Sequence, residues 1–308
     1  MNEAAAIPVR VGVIGTGAMG SRFARRLVSA GHEVHACNRT RERAEALRGS
    51  GVIVQPSPWA VAEHADVLIC MVWDSAALRA VALGAGGFVA GLAPRHVVAD
   101  CSTVEPEVSA HIAAEVARTG ASMLDTPVSG SLDAAEAGQV MIMVGGPSAG
   151  LDRARPVLDV LGRAVLHVSE ANGSALALKL AINMQVAIQE VAWGEGLALA
   201  EAFGIDRSAA SRVMLDSVIA SPMLRYRAPF ALAAPPEVWA SAAQLRKDVD
   251  YAVRRCRGRA VAGRYALDLL TKICADGRGD REAAELMVAA AGGELAERGD
   301  GQEEEPAS

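Results

Sequence analysis

The sequence predicts an α/β domain followed by an all-α domain, and three observations carry that prediction. Strand-length apolar runs alternate with helix-length segments through the first half of the chain. The alternation stops near residue 170. Beyond it, residues 173–203 read as one long helix unbroken by proline, and residues 206–292 keep a helical period. Such alternation argues for a parallel sheet covered by helices. The expected organisation is a sheet domain over 1–170 and a helical domain over 171–293, joined by the long helix. Residues 294–308 are polar and acidic and are expected to be a disordered tail.

Taken in order, residues 9–14 form the first apolar run, followed by a helical segment over 19–30. The runs 33–37, 67–71, 97–100 and 122–124 are the next strands, with helices over 40–49 and 105–119 among them. Runs 140–144 and 164–168 bracket a helix over 148–161. In the second half, the proline-bearing stretches 221–223 and 235–236 interrupt the helical pattern. No repeat of fixed period is present.

Composition limits the function classes. The chain has 308 residues, enough for two domains, and half of it is hydrophobic with few aromatics. Its net charge is −6 and it has no basic block, which argues against a nucleic-acid surface. Unbroken apolar runs such as 67–72 are far shorter than the roughly 20 residues of a membrane span. Residues 1–10 lack a secretion-signal pattern, so a cytoplasmic location is expected. The five cysteines, Cys37, Cys70, Cys101, Cys256 and Cys274, include no CxxC pair and read as reduced thiols. The histidines lack ligand spacing, so no metal site is expected. None follows His167, so a catalytic base in the second half must be another residue type.

The motif Gly15-Thr16-Gly17-Ala18-Met19-Gly20 follows the first strand and opens the first helix. In that context GxGxxG is a dinucleotide-binding turn. Gly15 permits the tight turn, Gly17 admits a pyrophosphate to the backbone, and Gly20 lets helix and strand pack closely. The helix N-terminus offers N–H groups to the anion. This makes the first domain a Rossmann-type, doubly wound sheet.

The end of the second strand distinguishes NAD from NADP. An NAD site carries an acid there for the ribose 2′-OH. This chain has Asn38-Arg39-Thr40 instead. Arg39 can make a forked contact with a 2′-phosphate, and Asn38 and Thr40 can add hydrogen bonds. The plainer alternative is a surface arginine at a helix start capped by Thr40. NADP is the expected cofactor.

Four motifs now stand in order: 15–20, then Asp125-Thr126-Pro127-Val128-Ser129-Gly130-Ser131, then 173–183, then Lys247-Asp248-Val249. Together they resemble the β-hydroxyacid dehydrogenases, the family of 3-hydroxyisobutyrate dehydrogenase and glyoxylate/succinic semialdehyde reductase, within the 6-phosphogluconate dehydrogenase superfamily. The resemblance runs from about residue 10 to 293, and Ser131 is similar to the glyoxylate/succinic semialdehyde branch. It implies that Ser129, Gly130 and Ser131 hold a substrate carboxylate, although a turn capped by Ser129 would explain the same residues. It implies that Thr103 lies beside the nicotinamide and that Met71 and Val72 flank the adenosine. A helix cap at Thr103 and plain core at the other two are the alternatives. Lys247 would close over the cofactor, with Asp248 fixing the local backbone; the alternative is a solvent-facing charge pair.

Lys179 is the implied catalytic residue. It lies four residues before Asn183, on one helical face. Carbonyl reduction needs a proton donor at oxygen, which an ammonium supplies while stabilising the developing alkoxide. Leu176, Leu178, Leu180 and Ile182 are expected to desolvate it, and Asn183 to orient the substrate. Composition supports this role: of 30 lysines and arginines only Lys179, Lys247 and Lys272 are lysine. Arginine, always charged, cannot exchange a proton near neutral pH.

Three residues depart from the family pattern: Ala175 for a glycine, Trp73 for proline or serine, and Val249 for leucine. The expected function is reversible hydride transfer between NADP(H) and a small carboxylate-bearing β-hydroxyacid or its semialdehyde or keto acid, in a homodimer or dimer-based oligomer. An imine or ketone reductase of the same fold, or a non-catalytic NADP-binding protein, is the rival reading. Both of those classes usually lack the lysine.

Overall fold

Residues 8–235 and 237–293 are described by the computed structural model, so the acidic segment 294–308 and Pro236 lie outside it. The chain divides between Leu180 and Ala181 into two units. The first contains β1 (Arg10–Ile14), α1 (Ala18–Ser29), β2 (Glu33–Cys37), α2 (Arg41–Glu45), β3 (Ile53–Val54), α3 (Pro58–Glu63), β4 (Val67–Cys70) and α4 (Ser75–Leu83). It continues with β5 (Val97–Asp100), α5 (Pro106–Arg118), β6 (Ser122–Asp125), β7 (Val128–Ser129), α6 (Leu132–Glu136), β8 (Val140–Gly145), α7 (Ser148–Leu161) and β9 (Gly162–Ser169). Helix α8 (Ser174–Ala202) begins in this unit and runs into the second. The second unit adds α9 (Arg207–Asp216), α10 (Pro222–Arg227), α11 (Ala242–Arg255), α12 (Val261–Ala275) and α13 (Glu285–Ala290).

The first six strands lie in the order β3-β2-β1-β4-β5-β6, all parallel. This is the doubly wound order whose ligand crevice lies at the carboxyl ends of the strands, where the order reverses between β1 and β4. The period-2 alternation of the strands feeds two cores. Val11, Val13, Val67 and Ile69 pack with Phe23, Leu27, Leu151 and Leu158. Ile14, Leu68 and Val98 pack on the other face with Val61, Leu78 and Ile112. Gly12 has no room for a side chain, since a Cβ there would come within 2.4 Å of Val61 Cγ1.

The expected parallel sheet is extended by strands of mixed sense. β8 runs antiparallel to β6 and β7 and parallel to β9. Sequence reading passed over β3 and β7, two residues each, and over α3, α4 and α6. Their signals are local caps: Ser57, Asp74 and Ser131 accept from the N–H groups of Ala60, Ala77 and Ala134. The helix expected over 40–49 shortens to α2 and a 3₁₀ turn at Arg48–Ser50.

In the second unit, Ala187 and Val191 pack with Leu245, Val249, Leu270 and Leu286. Trp193 and Leu197 pack with Leu224 and Met287. Val249, one of the family departures, is therefore core. Helix α8 is long and apolar enough by length and composition to cross a membrane, which short apolar runs did not anticipate. Its apolar residues are spaced around polar ones, among them Lys179, Asn183 and Glu190. Glu190 is buried beside Arg227 at 2.8 Å, and Arg227 also reaches Glu282 at 2.6 Å. Burial pushes the Glu190 carboxyl up to about 7, against the pull of Arg227.

Candidate functional site

The glycine turn has the geometry its sequence predicts. Gly15 has φ +97°, and a Cβ there would meet the Met71 carbonyl oxygen at 2.2 Å. At Gly20 a Cβ would meet the Gly15 carbonyl oxygen at 2.0 Å. At Gly17 it would meet nothing within 4 Å, so this is where an anion can approach the backbone. Helix α1 starts at Ala18 with no capping side chain, which leaves its first N–H groups for a ligand. The Thr16 hydroxyl is buried without a partner among the described residues. A dinucleotide pyrophosphate fits this cradle.

Asn38 has a scaffold task beside the one expected of it. Its Oδ1 accepts from Thr16 N–H at 3.0 Å, and its Nδ2 donates to the Thr40 carbonyl at 2.9 Å. The amide thus ties the glycine turn to the loop after β2. Arg39, between them, is exposed and makes no hydrogen bond or ion pair among the described residues. Thr40 occupies the N-cap position of α2, but its side chain makes no cap hydrogen bond.

The other first-unit candidates follow the carboxyl ends of neighbouring strands. Met71 and Val72 follow β4, and Val72 N–H donates to the Ser102 hydroxyl at 2.9 Å. Trp73 is 52% exposed beside them. Thr103 is half-buried in the loop after β5, and the cap position of α5 is Glu105, not Thr103. After β6, Ser129 lies in β7 and Gly130 is exposed. Ser131 caps α6: its Oγ accepts from Ala134 N–H at 3.1 Å, which leaves its O–H proton to donate.

Two buried carboxyls at these strand ends escaped the sequence reading. Asp100 and Asp125 are register neighbours on β5 and β6, both fully buried. Burial pushes the Asp100 carboxyl up to about 7, and its Oδ2 has no partner among the described residues. Its folded-state value lies above its unfolded one, so its stabilising effect is complete in acid and is lost as pH rises through about 7. Asp100→Asn is expected to remove part of that loss, gaining about 2–4 kcal/mol at pH 8 relative to pH 5. Thermal midpoints of both proteins at the two pH values check this; equal pH dependence in both would refute it. Glu190 contributes with the same sign, so some dependence remains in the variant.

Asp125 holds the start of α8. Its Oδ1 accepts from Gly173 N–H at 2.8 Å, and its Oδ2 from Ala175 N–H at 3.0 Å and Leu176 N–H at 3.3 Å. Asn172 Nδ2 adds a contact at 3.3 Å. Burial pushes this carboxyl up while the Gly173 and Leu176 N–H groups pull it back. Ala175 needs no glycine: it is ordinary helical backbone, and its N–H is what Asp125 uses. Lys179 follows one turn later and is half-buried. Leu176 and Leu180 are buried on the flank of its face, but Leu178 is 43% exposed. Exposed to that degree, Leu178 does little of the desolvation expected of it, and Ile182 is half-buried.

In the second unit, Asn183 and Lys247 meet on Asp248. Asn183 Nδ2 donates to Asp248 Oδ2 at 2.6 Å, and Lys247 Nζ lies 2.7 Å from Asp248 Oδ1. Lys247 and Asp248 are both buried, so this is no solvent-facing charge pair. Asp248 was expected to fix backbone; it joins two side chains instead. Lys272 is a surface residue paired with Asp276.

Burial pushes the thiols of Cys37 and Cys101 up to about 12 and that of Cys70 well above its ordinary value. Among the described residues no group of three His, Cys, Asp or Glu side chains could hold a metal.

Residues 10–169 match the NAD binding domain of 6-phosphogluconate dehydrogenase, and residues 173–290 match the NAD-binding domain of NADP-dependent 3-hydroxyisobutyrate dehydrogenase. The chain belongs to the β-hydroxyacid dehydrogenase family. Within that family it is 32% identical to the chloroplastic glyoxylate/succinic semialdehyde reductase 2 of Arabidopsis thaliana, over 72% of this chain and 62% of the reductase. It is 34% identical to the 3-hydroxyisobutyrate dehydrogenase of Pseudomonas aeruginosa, over 67% of this chain and 69% of that enzyme. Among solved structures it is similar to Psf3 in complex with NADP+ and 2-OPP, with TM-score 0.84 and 26% identity. That likeness covers 91% of this chain and 99% of Psf3.

Proposed function

We propose that this β-hydroxyacid dehydrogenase family member is an NADP(H)-dependent oxidoreductase. It would interconvert a small β-hydroxyacid and the corresponding semialdehyde or keto acid, with Lys179 as general acid and base. One observation carries the reading. In a chain that uses arginine almost everywhere, Lys179 stands half-buried on α8, one turn beyond the N–H groups that Asp125 holds at the end of β6. A bound dihydronicotinamide supplies the hydride. Lys179 gives the proton to the carbonyl oxygen and offsets its negative charge; in the reverse direction it takes the proton back. The Ser129, Gly130 and Ser131 segment holds the carboxylate through hydroxyl and backbone donors. Asn183 orients the substrate, and Lys247 approaches the cofactor, each held by Asp248. Thr103 flanks the nicotinamide and Met71 and Val72 the adenosine.

Arg39 supports NADP over NAD: it replaces the acid an NAD site uses, is exposed, and stands on a loop that Asn38 holds to the glycine turn. NADPH is expected to bind at least about tenfold tighter than NADH. Arg39→Asp should erase or reverse that order, and equal binding of both cofactors by the unmutated protein would end the assignment. The reaction itself is tested with a panel of semialdehydes, β-hydroxyacids, neutral ketones and cyclic imines, following nicotinamide absorbance. Substrates lacking the carboxylate should lose kcat/KM by about 2–4 kcal/mol, because donors that the bound substrate shields from water are left unpaired. Imines turned over as well as acids would favour a reductase of another kind.

A further inference from the structure

The carboxylate that holds the first turn of α8 lies on the sheet, 54 positions before Lys179 in the sequence. We propose that Asp125 is the positioning residue of Lys179, fixing the lysine by closing the N-terminus of α8. This rests on the reading of Lys179 as the proton donor.

The first N–H groups of a helix have no partner within it, and a 29-residue helix directs its positive end at that point. Here the acceptor is the last residue of a central strand, not a neighbouring loop residue. Asp125 continues β6, whose parallel register with β5 is set over four residues. Its two oxygens take three N–H groups of residues 173–176, and Asn172 joins the same carboxylate to the Met123 carbonyl. The position and rotation of the first turn of α8 are thus set by one carboxylate.

One glycine makes room for the carboxylate and another supplies the backbone turn it caps. Gly145 is the register partner of Asp125 on β8, and a Cβ there would come within 2.7 Å of Asp125 Oδ2. Gly173 has φ +91°, and a Cβ would lie 2.9 Å from the Pro106 carbonyl oxygen. Lys179 lies six residues beyond Gly173, about 9 Å along the axis. The same first turn buries Ala175 and Leu176 while leaving Lys179 on the flank. A shift at the cap therefore moves the ammonium, and misplacement by about 1 Å can cost a hundredfold in rate.

A double-mutant cycle on the full chain tests this, with steady-state kinetics for aldehyde reduction. Asp125→Asn replaces one acceptor oxygen by a donor that faces helix N–H groups. It should lower kcat about 10- to 100-fold with the cofactor KM unchanged within about twofold. In the Lys179→Ala background the same substitution should lower kcat by less than about twofold, because the group it positions is gone. An equal factor in both backgrounds, or an unchanged kcat in the first, overturns the proposal. Full turnover by Lys179→Ala alone would instead overturn the reading beneath it. If Asp125→Asn does not fold, Asn172→Ala is read through the same cycle. It removes one donor from the carboxylate and should cost about two- to fivefold in kcat in the first background only; the same loss in both, or none, counts against Asp125.

Discussion

Lys179→Ala is expected to lower kcat by about two to four orders of magnitude, the usual size of a lost general acid. Cofactor affinity should barely change, because the cradle proposed for the pyrophosphate is the glycine turn and the start of α1, where Gly17 leaves open space and Thr16 a buried hydroxyl. Lys179→Arg separates two roles. It keeps the positive charge and removes the proton that can be exchanged near neutral pH. If the arginine variant turns over at a near-normal rate, the lysine acts as an electrostatic anchor and the acid–base role is wrong. If both variants lose NADPH binding, measured by fluorescence titration, the lysine serves the fold and not the chemistry.

A second large effect is expected in the helical unit. Arg227→Met should destabilise it by about 3–5 kcal/mol, because it strands two buried carboxylates. Glu282 would keep the N–H groups of Trp239 and Ala240, at 2.7 and 3.3 Å, but lose its cation. Glu190 has no such compensation and, without the arginine, its carboxyl moves further up from about 7. The variant should therefore lose most stability at alkaline pH. Adding Glu190→Gln should recover part of the loss by removing one buried charge. Thermal unfolding at pH 6 and 8 reads both effects, and a loss under about 1 kcal/mol would show that the cluster contributes little.

Much of the candidate site was legible because its signals are local. The roles of Gly15, Gly17 and Gly20 depend on six consecutive residues between a strand and a helix, and each glycine has the space those roles require. The resemblance singled out Lys179 and Lys247, and the rarity of lysine supported that choice; the third lysine, Lys272, lies at the surface. The long helix could be read from its unbroken period, and the parallel strands from their apolar runs.

What tertiary structure decided are the polar contacts between residues far apart in sequence. Asn38 spends its amide on Thr16 across 22 positions, Asn183 meets Asp248 across 65, and Asp125 takes Gly173 N–H across 48. No spacing rule predicts such pairs. A side-chain amide or carboxylate can serve a ligand or the scaffold equally well, and only the surrounding fold selects between them. The antiparallel turn of β7 and β8 was hidden for a related reason: two-residue strands carry too little pattern to show their pairing. The chemistry of the chain is written in residue types. Which of those residues face a ligand, and which hold the others in place, is decided where the strands end and the helices begin.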